Sequence, residues 1–385
     1  MTLTARERLR AALCHRQPDR VPLDIGGSYA TGINTRAYQN LKDHLGLCSP
    51  ARVASQRSDI AWVEDPVRER LGIDTYPLLP GVPDGAVVQL SPDRYRDEWG
   101  VIRRRAEGGH YYVVSAPLAG ATLADLDAYP WPDPDDPGWA RGLAEEAQQL
   151  ACETEFGLVL SLPVGLGHQS QFLRGYEAWL IDCAADPRFA GALMDRVLEV
   201  QIQVARHLLA AAGDLVDVVL YADDMGFQDR PILSPGMFRR LILPRQKRFL
   251  DAVKSRTRAK LLYHTCGAVL PLIPDFIDVG VEVLNPVQVT ASGMDPVRLK
   301  REFGRDLAFW GGVDTQHLLP EGSPADVRRA VEGLAEVLGA GGGYVVSAAN
   351  NIQADTPPAN IVAMASAGRP VDGPPGCRVS PPVVE

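Results

Sequence analysis

Ala259-Lys260-Leu261-Leu262-Tyr263-His264-Thr265-Cys266-Gly267 is an apolar run that ends in an imidazole, a thiol and a glycine. A basic, helix-like segment precedes it and a new apolar run follows Gly267, so it reads as a buried β-strand with His264 and Cys266 at its C-terminal end. Side chains two apart on a strand point the same way. His264 and Cys266 therefore project to one side, about 7 Å apart along the backbone at about 3.3 Å per residue. Imidazole nitrogen and thiolate sulfur can converge on one borderline-soft ion, and zinc is the natural candidate. The same two residues also describe a core histidine beside a small buried cysteine, so the rest of the chain has to decide.

Outward from this strand the chain keeps a regular rhythm. Apolar runs at 157–162, 216–221, 259–263, 281–284, 307–310 and 343–347 are separated by helix-length segments, the pattern of repeated βα units on a parallel sheet. Runs at 21–25 and 75–79 bring the number to eight, which favours a closed (β/α)8 TIM barrel of the α/β class over an open sheet. Residues 4–13 form a helical extension ahead of it, with Thr4 as N-cap and Glu7 completing a capping box. Another helix is expected over 36–45. Between 85 and 138 the pattern breaks into short extended runs, 97–105 and 110–115, joined across 107–109 as a β-hairpin insertion, followed by a proline-rich surface connection at 129–137. Residues 366–385 read as a tail on what is otherwise a single barrel domain spanning 1–385.

The totals agree with one compact body. The chain has 385 residues, 46% hydrophobic and 23% charged, close to a globular average. A net charge of -9 argues against a general nucleic-acid or anionic-membrane surface. Six scattered cysteines suggest a reducing compartment, and the absence of a leader-like or membrane-length apolar run makes the cytoplasm the expected location.

Asp24, His168, Asp223, Asp224, His264, Cys266, Asn285, Gln288, Asp314, Gln316 and Asn350 all fall at or just after the C-terminal ends of these strands. In a barrel those ends share one face, where sites of this fold are assembled. Asp223 and Asp224 could orient a substrate, act as a general base or complete a metal shell; if both lie on the strand, only one faces the interior. His168 is a candidate general acid or a rim residue. The glycine runs at 26–27 and 341–343 match no nucleotide-binding fingerprint.

Taken in order, the motifs resemble the uroporphyrinogen decarboxylase superfamily, and more narrowly its cobalamin (corrinoid)-dependent methyltransferase branch. They are Arg6-Glu-Arg-Leu-Arg-Ala-Ala-Leu13 with Pro18-Asp-Arg-Val-Pro-Leu-Asp24, Asp223-Asp-Met-Gly-Phe-Gln228, Tyr263-His-Thr-Cys-Gly267, Asn285-Pro-Val-Gln288, Gly311-Gly-Val-Asp-Thr-Gln316 and Asn351-Ile-Gln-Ala-Asp-Thr-Pro-Pro358. The resemblance implies a corrinoid-dependent methyltransferase moving a methyl group between a small methoxylated compound or thiol and cobalamin. Zinc on His264 and Cys266 would be its Lewis acid, with Asp223, Asp224 and His168 catalytic and Asn285, Gln288, Asp314 and Gln316 binding the cofactor. Two departures are specific to this chain. Decarboxylase members grip their tetrapyrrole with an arginine-rich segment, whereas here no arginine follows Pro22 until Arg36. Asn350, a poor zinc ligand, stands where the branch places its third ligand, which leaves Asp224 or His168 to fill the shell and implies weak zinc binding. No Asp-x-His-x-x-Gly segment is present, so the corrinoid is expected from a partner protein or in free form. A decarboxylase or other lyase, and a non-catalytic corrinoid- or tetrapyrrole-binding protein, remain alternatives.

Overall fold

Near-continuous Val, Leu and Ile runs suit strands buried on both faces, and the computed structural model, which describes residues 2–106 and 109–367, arranges them as one parallel sheet. Its order is Tyr344–Ala348, Ala308–Val313, Val283–Asn285, Lys260–His264, Val218–Ala222, Gly157–Ser161 and Thr75–Leu78. The segment at 22–24 closes the circle. Leu23 bridges Val346 on one side, and its carbonyl accepts from the Asp74 N–H on the other (2.8 Å). The expected strand at 21–25 is thus present only as this bridge, because Pro22 has no N–H to extend a ladder. The barrel and its six long runs stand where the sequence puts them, each shifted by one to three residues at an end.

Alternation along the strands splits the core in two. Val218, Leu220, Leu262, Val283, Ala308, Trp310 and Val345 fill the barrel interior together with Leu9 and Leu13 of the helix Ala5–Leu13, which plugs the N-terminal end. Residues of opposite parity, such as Val219, Tyr221, Leu261 and Tyr263, pack outward against the helices. Thr4 caps the plug helix and Glu7 closes the capping box, as expected.

The insertion is larger than the expected hairpin. Four antiparallel strands, Val88–Ser91, Arg94–Arg96, Ile102–Arg105 and Tyr111–Ser115, form a separate sheet. The run 97–105 is not one strand: the Asp97 carboxylate accepts from the Trp99 and Val101 N–H groups, and Gly100 (φ 77°) turns the chain back between two strands. Residues 107–108 of the expected hairpin tip, and 368–385 of the expected tail, lie outside the described residues. The proline-rich connection at 129–137 forms no strand, and Tyr129 and Trp131 pack edge-on to each other (4.9 Å between ring centres) beside Trp99. Among the described residues no helix is long and apolar enough to cross a membrane.

Candidate functional site

Interior parity carries directly into the site. Val218, Leu220, Ala222 and then Asp224 share one parity, while Leu262, His264 and Cys266 share that of the neighbouring strand, so Asp224, His264 and Cys266 meet at the mouth. Their ligand atoms all lie within 4.8 Å of one another. His264 Nε2 is 3.5 Å from Cys266 Sγ and 3.7 Å from Asp224 Oδ1. Tetrahedral zinc with bonds of about 2.0–2.3 Å would hold N···S and N···O pairs about 3.4–3.6 Å apart, so the donors stand close to the required spacing.

The loops that carry them are tied together. Cys266 N–H donates to Asp224 Oδ1 (2.7 Å), Met225 N–H to Thr265 Oγ1 (2.9 Å) and Ala268 N–H to the Phe227 carbonyl (2.7 Å). Gly226 and Gly267 make this approach feasible. A Cβ on Gly267, which sits at φ 91°, would lie 2.5 Å from Gly226 backbone.

Asn285 fixes the histidine. Its Nδ2 donates to the Trp310 carbonyl (3.3 Å), which leaves Oδ1 as the acceptor facing His264 Nδ1. Nδ1 then carries the proton, and the Nε2 lone pair faces Cys266 and Asp224. Burial pushes the Cys266 thiol well above its ordinary value, with Asp224 adding to the effect. Burial also pushes the Asp224 carboxyl up, but the positive charge that His168 and His264 carry when protonated, with the Cys266 N–H, more than offsets it, so its net shift is downward.

The other expected residues separate in role. Asp223, fully buried, accepts from the Gly167 and His168 N–H groups (3.0 and 2.8 Å), from Tyr221 Oη (2.9 Å) and from Gln246 Nε2 (3.2 Å). It caps the helix Leu166–Arg174 and does not line the cleft, so the structure places it behind the site and not among reacting groups. That cap positions His168 in the first turn, with Nε2 3.6 Å from Asp224 Oδ2 and its ring stacked on Phe172. Asn285 stands behind His264, buried and closed to a cofactor. Gln288 accepts from Gly267 N–H (2.8 Å) and donates to Gln228 (2.9 Å), and Asp314 receives the N–H groups of Gln316, His317 and Leu318. Gln316 is exposed beside Thr290. Asn350 Nδ2 points at Cys266 Sγ (3.6 Å) as a donor. Asp24, buried, accepts from Thr75, Gly27 and Trp310 (2.6, 2.8 and 2.8 Å) and is a structural brace. Glu282 pairs with Lys254 and Lys260 at the opposite end of the barrel.

His264, Asp224 and His168 open onto a cleft of about 360 Å³. Its far wall comes from segments the sequence did not flag: Arg57, Glu98 and Trp99, and Trp139 from the turn Pro137–Trp139. A smaller polar hollow of about 120 Å³, between Gln228, Gln288 and Gln316, lies against Cys266 and Asn350.

The uroporphyrinogen decarboxylase family profile matches residues 169–370, more than half of the chain. The chain belongs to the uroporphyrinogen decarboxylase family. The match contains the Asp224, His264, Cys266 and Asn285 positions just described. A methyltransferase from Methanosarcina mazei superposes with a TM-score of 0.66 at 19% identity, over 95% of this chain and 98% of its own. That likeness shows the shared fold. A β-glycosidase from Thermosphaera aggregans superposes much less well, with a TM-score of 0.43 at 13% identity over 92% of this chain and 97% of its own. No curated protein matches the chain by sequence.

Proposed function

We propose that this chain is a methyltransferase that moves a methyl group between a small substrate and a corrinoid, with zinc held by His264, Cys266 and Asp224. The observation that carries the reading is the donor set itself. An imidazole with its tautomer fixed by Asn285, a thiol and a carboxylate converge at the mouth, and the carboxylate replaces the ligand that Asn350 cannot supply. The family and the fold shared with the M. mazei methyltransferase support the same reading.

Zinc bound there supplies a Lewis acid that activates a thiol as thiolate, or a bound oxygen as leaving group. The chain's own residues do the rest. His264 presents the Nε2 lone pair, its proton held on Nδ1 toward Asn285. Cys266 is held as thiol by burial, so taking up the metal releases a proton and favours higher pH. His168, open to the cleft and beside the second oxygen of Asp224, holds or moves the proton at the substrate heteroatom. Asn350 donates toward the sulfur and tempers its charge. The cobalt chemistry belongs to the corrinoid, brought by a partner protein or in free form.

The test uses the full-length protein. After dialysis against zinc, metal content is measured for wild type, Cys266→Ala and Asp224→Asn, and each is then mixed with cob(I)alamin and a panel of methoxylated compounds. Zinc that is lost in both variants, with methylcobalamin formed only by wild type, supports the proposal. Decarboxylation of uroporphyrinogen without cobalamin, or no zinc in any of the three proteins, sinks it.

A further inference from the structure

The cleft beside the three donors carries polar groups that the fold leaves without partners. The Arg57 guanidinium lies 4.5 Å from the centre of the Phe172 ring and makes no hydrogen bond or ion pair with any described residue. Gln201, 1% exposed, spends Nε2 on the Val164 carbonyl (2.5 Å), which fixes Oε1 as a free acceptor, and that oxygen is buried without a partner. Gln169, 3% exposed, has an equally unpartnered Nε2. All three residues line the same cleft as His264 and Asp224. Buried polar atoms are nearly always satisfied in folded proteins, so two buried orphans on one cavity, beside a guanidinium without an ion-pair partner, ask for a ligand that completes them.

We propose that the cleft binds a small molecule bearing a carboxylate, held by Arg57, and an N–H or O–H group that donates to Gln201 Oε1, with its apolar body against Trp99 and Trp139. The planar guanidinium offers paired donors that match a carboxylate edge, and its stacking on Phe172 holds it in place. Charge balance favours an anion over a cation. Arg103 is neutralised by Asp97 (2.8 Å), which leaves Arg57 as the unpaired cation on this wall. Glu98 lines the same cleft but forms no ion pair with Arg57. Burial and the neighbouring Asp97 push its carboxyl upward, while Arg57 and Arg103 pull the other way. Gln169 Nε2 supplies a further donor.

This names the substrate class of the site and rests on the methyl-transfer reading for turnover, though not for binding. The experiment is titration calorimetry on the full-length protein, without cobalamin, using 4-aminobenzoate, benzoate and 4-aminobenzamide as probes. 4-Aminobenzoate is expected to bind about tenfold or more tightly than the uncharged amide, and severalfold more tightly than benzoate, which lacks the donor. Arg57→Leu should erase the advantage of the acid over the amide at an unchanged melting temperature, and Arg57→Lys should restore part of it. Equal binding of acid and amide, no binding of any probe, or an undiminished preference in Arg57→Leu overturns the proposal. An Arg57-dependent preference for the acid in a protein that never methylates cobalamin keeps this inference and sinks the methyl-transfer reading. Methyl transfer with no such preference does the reverse.

Discussion

The two ends of the barrel treat buried charge in opposite ways. At the N-terminal end the buried Asp74 and Asp217 and the half-buried Glu282 are enclosed by cations. Asp74 accepts from Arg8 (2.7 Å), twice from Arg20 (2.8 and 2.9 Å) and from the Leu23 N–H (2.8 Å). Asp217 takes Arg10 (2.5 Å) and the Leu158 N–H (2.8 Å), while Glu282 takes Lys254 and Lys260 (2.6 and 2.8 Å). At the C-terminal mouth Asp24 and Asp223 are likewise satisfied, but around the cleft the circuits are open: Asp224 faces two imidazoles and a thiol, Gln169 Nε2 and Gln201 Oε1 are buried without partners, and the Arg57 guanidinium has no ion-pair partner among the described residues. A buried polar group left unsatisfied costs folding free energy, so it persists where a ligand completes it. One end of the barrel stabilises the fold and the other binds.

Substitutions should separate the two ends. The largest effect is expected at the closed end. Asp74→Ala leaves Arg8 and Arg20 without their shared carboxylate and should cost about 3–5 kcal/mol, read as a lowered urea midpoint. Zinc content per folded molecule should stay at the wild-type level. A parallel fall in both would mean that the two ends are not separable.

Cys266→Ala should invert that result. Zinc retained after dialysis should fall to background, while stability changes by well under the ~2 kcal/mol at which large core truncations begin, because only a small group at a strand end is lost. A structural core cysteine would show the opposite pattern, with a lowered midpoint and unchanged metal. Asn285→Leu is expected to be milder. It removes the group that holds His264 in the Nδ1–H tautomer and should weaken zinc binding about 10–100-fold, measured by competition with a chelator. An unchanged affinity would mean that the imidazole needs no such orientation.

The barrel was legible because its evidence is periodic. Continuous apolar runs gave the strands, and the parity that buries Val218 and Leu220 also decides that Asp224, not Asp223, faces the interior. His264 and Cys266 could be placed for the same reason. The cleft wall could not. Arg57, Glu98, Trp99 and Trp139 come from a loop, a turn and a 3-10 segment that share no repeat, and an arginine or tryptophan in such a segment looks like any surface residue until the insertion folds over the mouth. Asn285 is visible in the sequence as a strand-end polar residue, for which the resemblance implies a cofactor contact. Its bond to the Trp310 carbonyl, which turns it toward His264, depends on register between strands that one sequence does not state.

The smallest effect tests whether the closed end draws its strength from charge. Asp19, at the rim of the Arg8–Asp74 cluster, has its carboxyl lowered to about 2 by the hydrogen bond from Arg8, with the Leu3 N–H and the Arg8 charge assisting against burial. A carboxyl whose folded pKa lies below its unfolded value of about 3.9 adds stability above that value and loses it as pH falls toward 2. The side chain is 24% exposed, so solvent screening holds the gain to on the order of 1 kcal/mol at neutral pH. Asp19→Asn should therefore lower the urea midpoint slightly at pH 7, and the difference from wild type should shrink through pH 4, be mostly gone at pH 2 and vanish only below it. Arg8 also bonds Asp74, so Asp19→Asn does not leave the guanidinium unpaired at pH 7, which is why the effect stays small. A difference that persists undiminished at pH 2 would mean that hydrogen-bond geometry, not ionisation, stabilises this end, and the contrast between a charge-closed base and an open mouth would have to be redrawn in those terms.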